Sequence, residues 1–153
     1  MSVVFAREKY DQIIGEGLPL LERHRLEVAK FPDLMKLEID ADMYRLLEGK
    51  DRLYIASARE NGELIGYFSI FVNNHHHYKR LLVATEDVIY VRPDHRDPFT
   101  GILLLRFGEQ AMRTRGCHVI IGRTKVEHDH GRIYQRLGYH PMDTVWIKRL
   151  DGG

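Results

Sequence analysis

The chain has 153 residues, 44% of them hydrophobic and 29% charged, which is enough for one domain with a buried core and ordinary for a globular protein. Its 23 Lys and Arg stand against 22 Asp and Glu for a formal net charge of +1, so no bulk field favours nucleic acid or an anionic membrane as the main partner. No stretch reads as a membrane span or secretion signal, and the lone Cys117 can close no internal disulfide, so a cytoplasmic protein is expected.

Val3, Val4 and Phe5 predict a first strand. From Tyr10 to Phe31 the pattern is helical, with Leu18, Leu21, Arg25 and Val28 on one stripe. Proline is tolerated only near a helix start, so Pro19 predicts two helical pieces broken at Gly15 to Gly17. Asp40 is the expected N-cap of a second short helix, with Met43, Leu46 and Leu47 as its buried face and Gly49 as its stop. The period then changes: LYIASARE, Asn61-Gly62 and ELIGYFSIFV spell a hairpin whose strands are apolar on both faces. The polar tract from Asn73 to Arg80 connects it to a third antiparallel strand, Leu81 to Val91.

A helix beginning near Phe99 to Gly101 follows, packing by Leu104, Phe107, Gly108 and Ala111 and ending at Gly116. CHVIIG predicts a buried parallel strand, Glu127 to Leu137 a late helix stopped at Gly138, and YHPMDTVWIKRL a closing strand. No internal repeat or linker divides the chain, so a single domain over 1–153 is expected.

Thr85 to Phe107 has the strongest chemical content. A strand that feeds directly into a helix start presents unpaired N–H groups and the positive end of a helix dipole at one point, an anion site. Arg96 and Arg92 can add charge-assisted bonds there. The bland alternative stays open: DPFTG is also a plain helix-initiating turn, with Thr100 or Asp97 as N-cap.

The element order, together with VRPDHRDPFTGILLL and IYQRLGY, resembles the GNAT superfamily of acyl-CoA-dependent N-acetyltransferases, and the resemblance covers nearly the whole chain. In the first segment Arg96 matches the leading Arg of the family's cofactor signature and Gly101 its final Gly, while Phe99 stands where the family usually has its first Gly. In the second, Tyr134 falls on the family's late tyrosine. The resemblance implies an α/β (α+β) GNAT fold, a central mixed and mostly antiparallel sheet flanked by helices, ordered β-α-α-β-β-β-α-β-α-β(-β). It implies transfer of an acetyl group from acetyl-CoA to a primary amine of a small molecule or protein by direct attack in a ternary complex. Small acetyltransferases of this look also occur in phage genomes.

Residue by residue, the resemblance implies that Arg96, Asp97, Phe99, Thr100, Gly101 and Ile102 cradle the pyrophosphate of coenzyme A. Small residues matter in such a cradle because backbone N–H groups must converge without side chains in the way, so with Phe99 the loop must either point that ring outward or bind the cofactor in a modified way. The backbone at Ile89, Tyr90 and Val91 would hold the acyl carbonyl as an oxyanion donor, Tyr134 would protonate the departing thiolate, and Glu86 or Asp87 would act as base. Strand alternation puts those two carboxylates on opposite faces unless a bulge intervenes. Phe99, and Glu127 where many relatives have Asn, leave room for a second reading, a catalytically silent module that binds coenzyme A or a protein partner. His75, His76 and His77 read as a solvated loop, and His128 and His130, two apart, share no helical face; no metal site is expected. An isologous homodimer through an exposed strand edge is compatible with the pattern.

Overall fold

The central hairpin turns at Asn61 and Gly62, which both take positive φ, 52° and 81°, the geometry that matches the twist of the strands they join. The computed structural model describes residues 2–152. They run β1 (Val3–Arg7), α1 (Tyr10–Val28), α2 (Ala41–Gly49), β2 (Leu53–Glu60), β3 (Glu63–Asn74), β4 (Leu82–Val91), a single 3-10 turn (Pro93–His95), α3 (Thr100–Arg115), β5 (Val119–Ile121) and α4 (Gly131–Arg136). The described chain divides into two compact units, the first ending at Arg123 and the second beginning at Thr124.

The first unit holds a five-stranded mixed sheet in the order β1-β2-β3-β4-β5. All pairings are antiparallel except β4 with β5, as expected for a short apolar strand reached through a helix. Successive β3 residues serve opposite faces. Tyr67 joins Leu53 and Ile55 in the cluster that also contains Tyr10, Ile13 and Leu20 of α1. Phe68 and Ile70 face α3, where Gly108 lets the helix approach so closely that an added Cβ would meet Ile70 Cδ1 at 3.1 Å. Fully burying a side chain such as Phe68, Leu53 or Leu104 contributes about 1.5–3 kcal/mol relative to exposure, so the core lies on both faces of the sheet.

Two expectations about the first helices are corrected. The first helix is one piece from Tyr10 to Val28, with Pro19 inside it; the carbonyl that a proline ring crowds lies four residues earlier, and here it belongs to the small Gly15. On α2 the Asp40 cap forms, its side chain accepting from Met43 N at 3.0 Å, but Met43 and Leu46 are exposed. Ala41, Tyr44 and Leu47 pack on the core instead, because the stripe starts at the first helical residue and repeats every three.

In the second unit α4 spans Gly131–Arg136, shorter than expected, and Gly138 at φ 88° stops it. Tyr134 and Tyr139 rings lie 4.8 Å apart across that stop. The expected closing strand is absent from residues 140–150: alternation alone does not make a strand, which needs a ladder partner for its backbone groups, and Val145, Trp146 and Leu150 are exposed.

Candidate active site

The register between β3 and β4 carries an irregularity that decides the site. Ser69 pairs with Val88 and Ile70 with Glu86, so Asp87 is an extra residue on β4 with no partner opposite. A bulge of this kind re-aims side chains and breaks strict alternation. Asp87 and its neighbour Val88 therefore both line one cavity, whereas Glu86 does not. Glu86 is buried and accepts a hydrogen bond from Arg123 N at 3.0 Å, so it braces the chain after β5.

The cavity has a volume of about 190 Å³ and lies between α1, the segment around Leu37 and Ile39, α2 and the sheet. Asp87 is the only carboxylate among the described residues that line it. Tyr44 Oη donates to Asp87 Oδ2 at 2.7 Å. Burial pushes the Asp87 carboxyl above the usual carboxylate range, against the opposing Tyr44 hydrogen bond, the nearby Ser69 and the positive charge of Arg123. Ser69 acts by proximity, since its Oγ completes no hydrogen bond of good geometry. Burial, reinforced by the charge of Asp87, holds the Tyr44 hydroxyl far above its ordinary range, so it remains a proton donor to the carboxylate. The result is a shielded carboxylate with heightened proton affinity, the property a general base needs to work near neutral pH.

Beyond this cavity β4 outruns its neighbour. β5 pairs only with Val83, Ala84 and Thr85, so Ile89, Tyr90 and Val91 have β3 on one side and no strand on the other among the described residues. Backbone along an unpaired strand edge is a hydrogen-bonding surface for a ligand, except at Val91 O, which accepts from Arg96 Nε. After the turn, α3 begins at Thr100. Asp97 caps it: Oδ1 accepts from Phe99 N at 2.7 Å and Thr100 N at 2.8 Å, and Oδ2 accepts from the buried Thr100 hydroxyl at 2.6 Å. These bonds, led by that from Thr100, hold the Asp97 carboxyl below its usual range. The capping role left open in the sequence thus belongs to Asp97.

Phe99 is 68% exposed, with its ring outward, the first of the two alternatives. Gly101 has open space where a side chain would stand, nothing lying within 4 Å of an added Cβ, and Ile102 follows it in the first turn. Arg96 Nε donates to Val91 O at 2.7 Å, its guanidinium lies 5.2 Å from the Tyr90 ring centroid, and it pairs with Glu27 at 3.0 Å. Arg92 is engaged by Glu63 and by Asp94. The strand edge, the helix start and Arg96 are the groups that would meet the acyl arm and phosphates of a coenzyme A; Asp97 holds the first N–H groups, and Arg96 would have to exchange Glu27 for phosphate.

Tyr134, Glu127, His128 and His130 belong to the second unit; Tyr134 occupies the middle of α4. In the His-rich loop His75 stacks near Tyr78, with ring centroids 4.6 Å apart. Among the described residues no three His, Cys, Asp or Glu side chains gather as a metal-binding group, and no helix is long and apolar enough to cross a membrane. Tyr44, Tyr67 and Ser69 were not anticipated at the site. The apolar stripe Ala41, Tyr44, Leu47 was the available signal for Tyr44; Tyr67 and Ser69 depend on which face of β3 meets α1, which its doubly apolar sequence conceals.

Residues 20–139 match the acetyltransferase (GNAT) family. Solved structures resemble the chain along nearly its whole length. A ribosomal-protein-alanine N-acetyltransferase of Brucella melitensis biovar Abortus is 19% identical with TM-score 0.71, over 97% of this chain and 99% of that one. A glucosamine-6-phosphate N-acetyltransferase of Arabidopsis thaliana is 13% identical with TM-score 0.72, over 99% and 100%. A predicted acetyltransferase of Clostridium acetobutylicum solved with acetyl-CoA is 16% identical with TM-score 0.70, over 97% and 96%. At these identities the likeness is one of fold. No curated protein matches the chain.

Proposed function

The chain belongs to the acetyltransferase (GNAT) family, enzymes that transfer an acyl group from acetyl-CoA, and on that premise we propose that it acetylates a primary amine deprotonated by Asp87. The observation that carries this reading is the bulge on β4, which delivers a carboxylate of raised proton affinity into an apolar-lined cavity beside an unpaired strand edge. The single domain over 1–153 expected from the sequence is kept in this reading, because the family match runs from residue 20 into the second unit, to residue 139.

Acetyl-CoA supplies the activated acyl thioester. Backbone groups of Ile89, Tyr90 and Val91 hold the acyl arm, and the α3 start at Thr100, Gly101 and Ile102, with Arg96, holds the phosphates. Asp97 orders that helix start rather than touching phosphate. The incoming amine is an ammonium at neutral pH and has no nucleophilic lone pair until it loses a proton. Asp87 takes that proton, nitrogen forms the new bond to the acyl carbon and gives up its second proton to solvent, the carbon–sulfur bond breaks, and Tyr134 protonates the sulfur that leaves and is itself reprotonated from solvent. A general base contributes about 10²–10⁴-fold, and fixed backbone donors in a water-poor site contribute a comparable factor.

Thermal melting with acetyl-CoA tests the donor: ligand at about 100 times its dissociation constant stabilises by about 2.7 kcal/mol. Thiol release over a panel of amines then tests transfer, and Tyr134→Phe is expected to slow it. An unchanged rate in that variant removes Tyr134 from the scheme, and no melting shift at millimolar acetyl-CoA refutes the whole reading.

A further inference from the structure

The Asp87 cavity also describes the acceptor. Ile13, Ile14 and Leu21 of α1, with Leu37 and Ile39, make its walls apolar. Its volume of about 190 Å³ is small beside the roughly 300–1,000 Å³ of pockets for drug-sized ligands. Against this apolar lining stand one carboxylate, Asp87, and two unusual hydroxyls. Tyr67 and Ser69 line the same cavity and are 4% and 5% exposed; Tyr67 Oη has no hydrogen-bond partner, and Ser69 Oγ, close to Asp87, completes no bond of good geometry. A buried hydroxyl left unsatisfied is costly and rare in folded proteins. Two of them beside a lone carboxylate make a polar triad for a group that both carries positive charge and donates several hydrogen bonds, which is what a primary ammonium does.

Resting on the acetyl-transfer reading, we infer that the acceptor is a small monoamine, its ammonium seated on Asp87, Ser69 and Tyr67 and its compact apolar or aromatic body packed against α1. One carboxylate neutralises one charge. A polyamine or an aminoglycoside would bring further ammonium groups and hydroxyls against Ile13, Ile14 and Leu21, where nothing pairs with them, and burying an unpaired charge is prohibitive. Binding and chemistry then use the same atom: the carboxylate that attracts the ammonium removes its proton, and the neutral amine is left facing the acyl group.

Gly17 provides a test that does not disturb this polar triad. It lines the cavity from α1, and an added Cβ there meets nothing within 4 Å, so Gly17→Leu is expected to fill the cavity while improving helix propensity. Calorimetric titration of the protein with phenylethylamine, without acetyl-CoA, is expected to show binding that Gly17→Leu weakens at least tenfold and Tyr67→Phe weakens measurably, with both variants melting no lower than the parent by more than a few degrees. In thiol-release assays phenylethylamine and short alkylamines are expected to exceed spermidine and kanamycin in kcat/KM by at least tenfold, and Gly17→Leu to raise KM for the amine while leaving KM for acetyl-CoA unchanged. Preference for spermidine or kanamycin, or amine binding indifferent to Gly17→Leu, overturns the inference. Failure of acetyl-CoA to shift the melting temperature refutes acetyl transfer instead, and the amine titration still decides whether the cavity takes a monoamine.

Discussion

Replacing Asp87 by asparagine separates catalysis from stability, because the two should move in opposite directions. The amide keeps an oxygen that can accept from Tyr44, whose hydroxyl now lies 2.7 Å from the carboxylate, but it cannot take a proton from the amine. Losing a general base lowers the rate by about 10²–10⁴-fold, or about 2.7–5.5 kcal/mol at 1.36 kcal/mol per decade. Stability follows from the sign of the Asp87 shift. Its carboxyl is raised because burial outweighs Tyr44, Ser69 and Arg123 together, so the folded protein holds the proton more tightly than the unfolded chain does. Stability associated with the neutral carboxyl is complete below the unfolded value of about 3.9 and is lost as pH rises through the higher folded value. Above that window the parent protein carries the full cost of a buried charge and the amide variant does not. Weakening the Tyr44 bond from charged to neutral acceptor costs roughly 1 kcal/mol, less than the burial relieved. Asp87→Asn is therefore expected to melt at or above the parent temperature at pH 7.5, with the advantage shrinking toward pH 4, and to lose the acid limb of the kcat/KM profile. Chemical denaturation at the two pH values and thiol release across the range measure both. A variant within threefold of parental activity, or one less stable at pH 7.5 than at pH 4 relative to the parent, would refute the assignment.

Three further outcomes follow from the fold. Gly66→Ala places a Cβ 2.8 Å from Tyr90 O and 3.2 Å from Val91 Cγ2; a backbone oxygen cannot swing aside, so a loss of about 1–3 kcal/mol is expected in urea denaturation, whereas a neutral result would mean that β4 moves freely at this point. Asp97→Ala removes the α3 cap at a cost of about 0.5–2 kcal/mol, while Asp97→Asn keeps an acceptor for Phe99 N and Thr100 N and removes the negative charge beside the proposed phosphate site, so acetyl-CoA is expected to bind more tightly to Asp97→Asn than to the parent in a melting-shift titration. Glu8 and Arg59 form a two-pronged pair, 2.8 and 2.9 Å, with side chains only 15% and 21% exposed. The Arg59 hydrogen bond holds the Glu8 carboxyl below its usual range, so the stability it contributes is present above about pH 4.3 and is lost as pH falls through the lower folded value; Glu8→Gln is expected to lose about 1.5–3 kcal/mol at pH 7 and to show a flatter acid-unfolding profile.

The order of elements, the Asn61-Gly62 turn, the Asp40 cap and the parallel character of the strand at Val119 were legible in the amino-acid sequence, because each depends on period or turn chemistry within a few neighbouring residues. The family's two segments were legible for the same reason, being contiguous. The α2 face differs from its expected position by one helical residue, and the closing strand does not form although its residues alternate, since packing and ladder partners are supplied by the rest of the chain.

Local sequence thus determined that a strand carries two adjacent carboxylates and runs on into a capped helix, but it left Glu86 and Asp87 equivalent. Only tertiary structure separated them. The skipped partner between Ser69 and Ile70 turns Asp87 into a cavity bounded by α1 and α2, against a tyrosine 43 residues away in sequence, and leaves Glu86 to Arg123. Register is a property of two strands and burial a property of all that covers them, so proton affinity, which depends on both, is not written in either residue's neighbours.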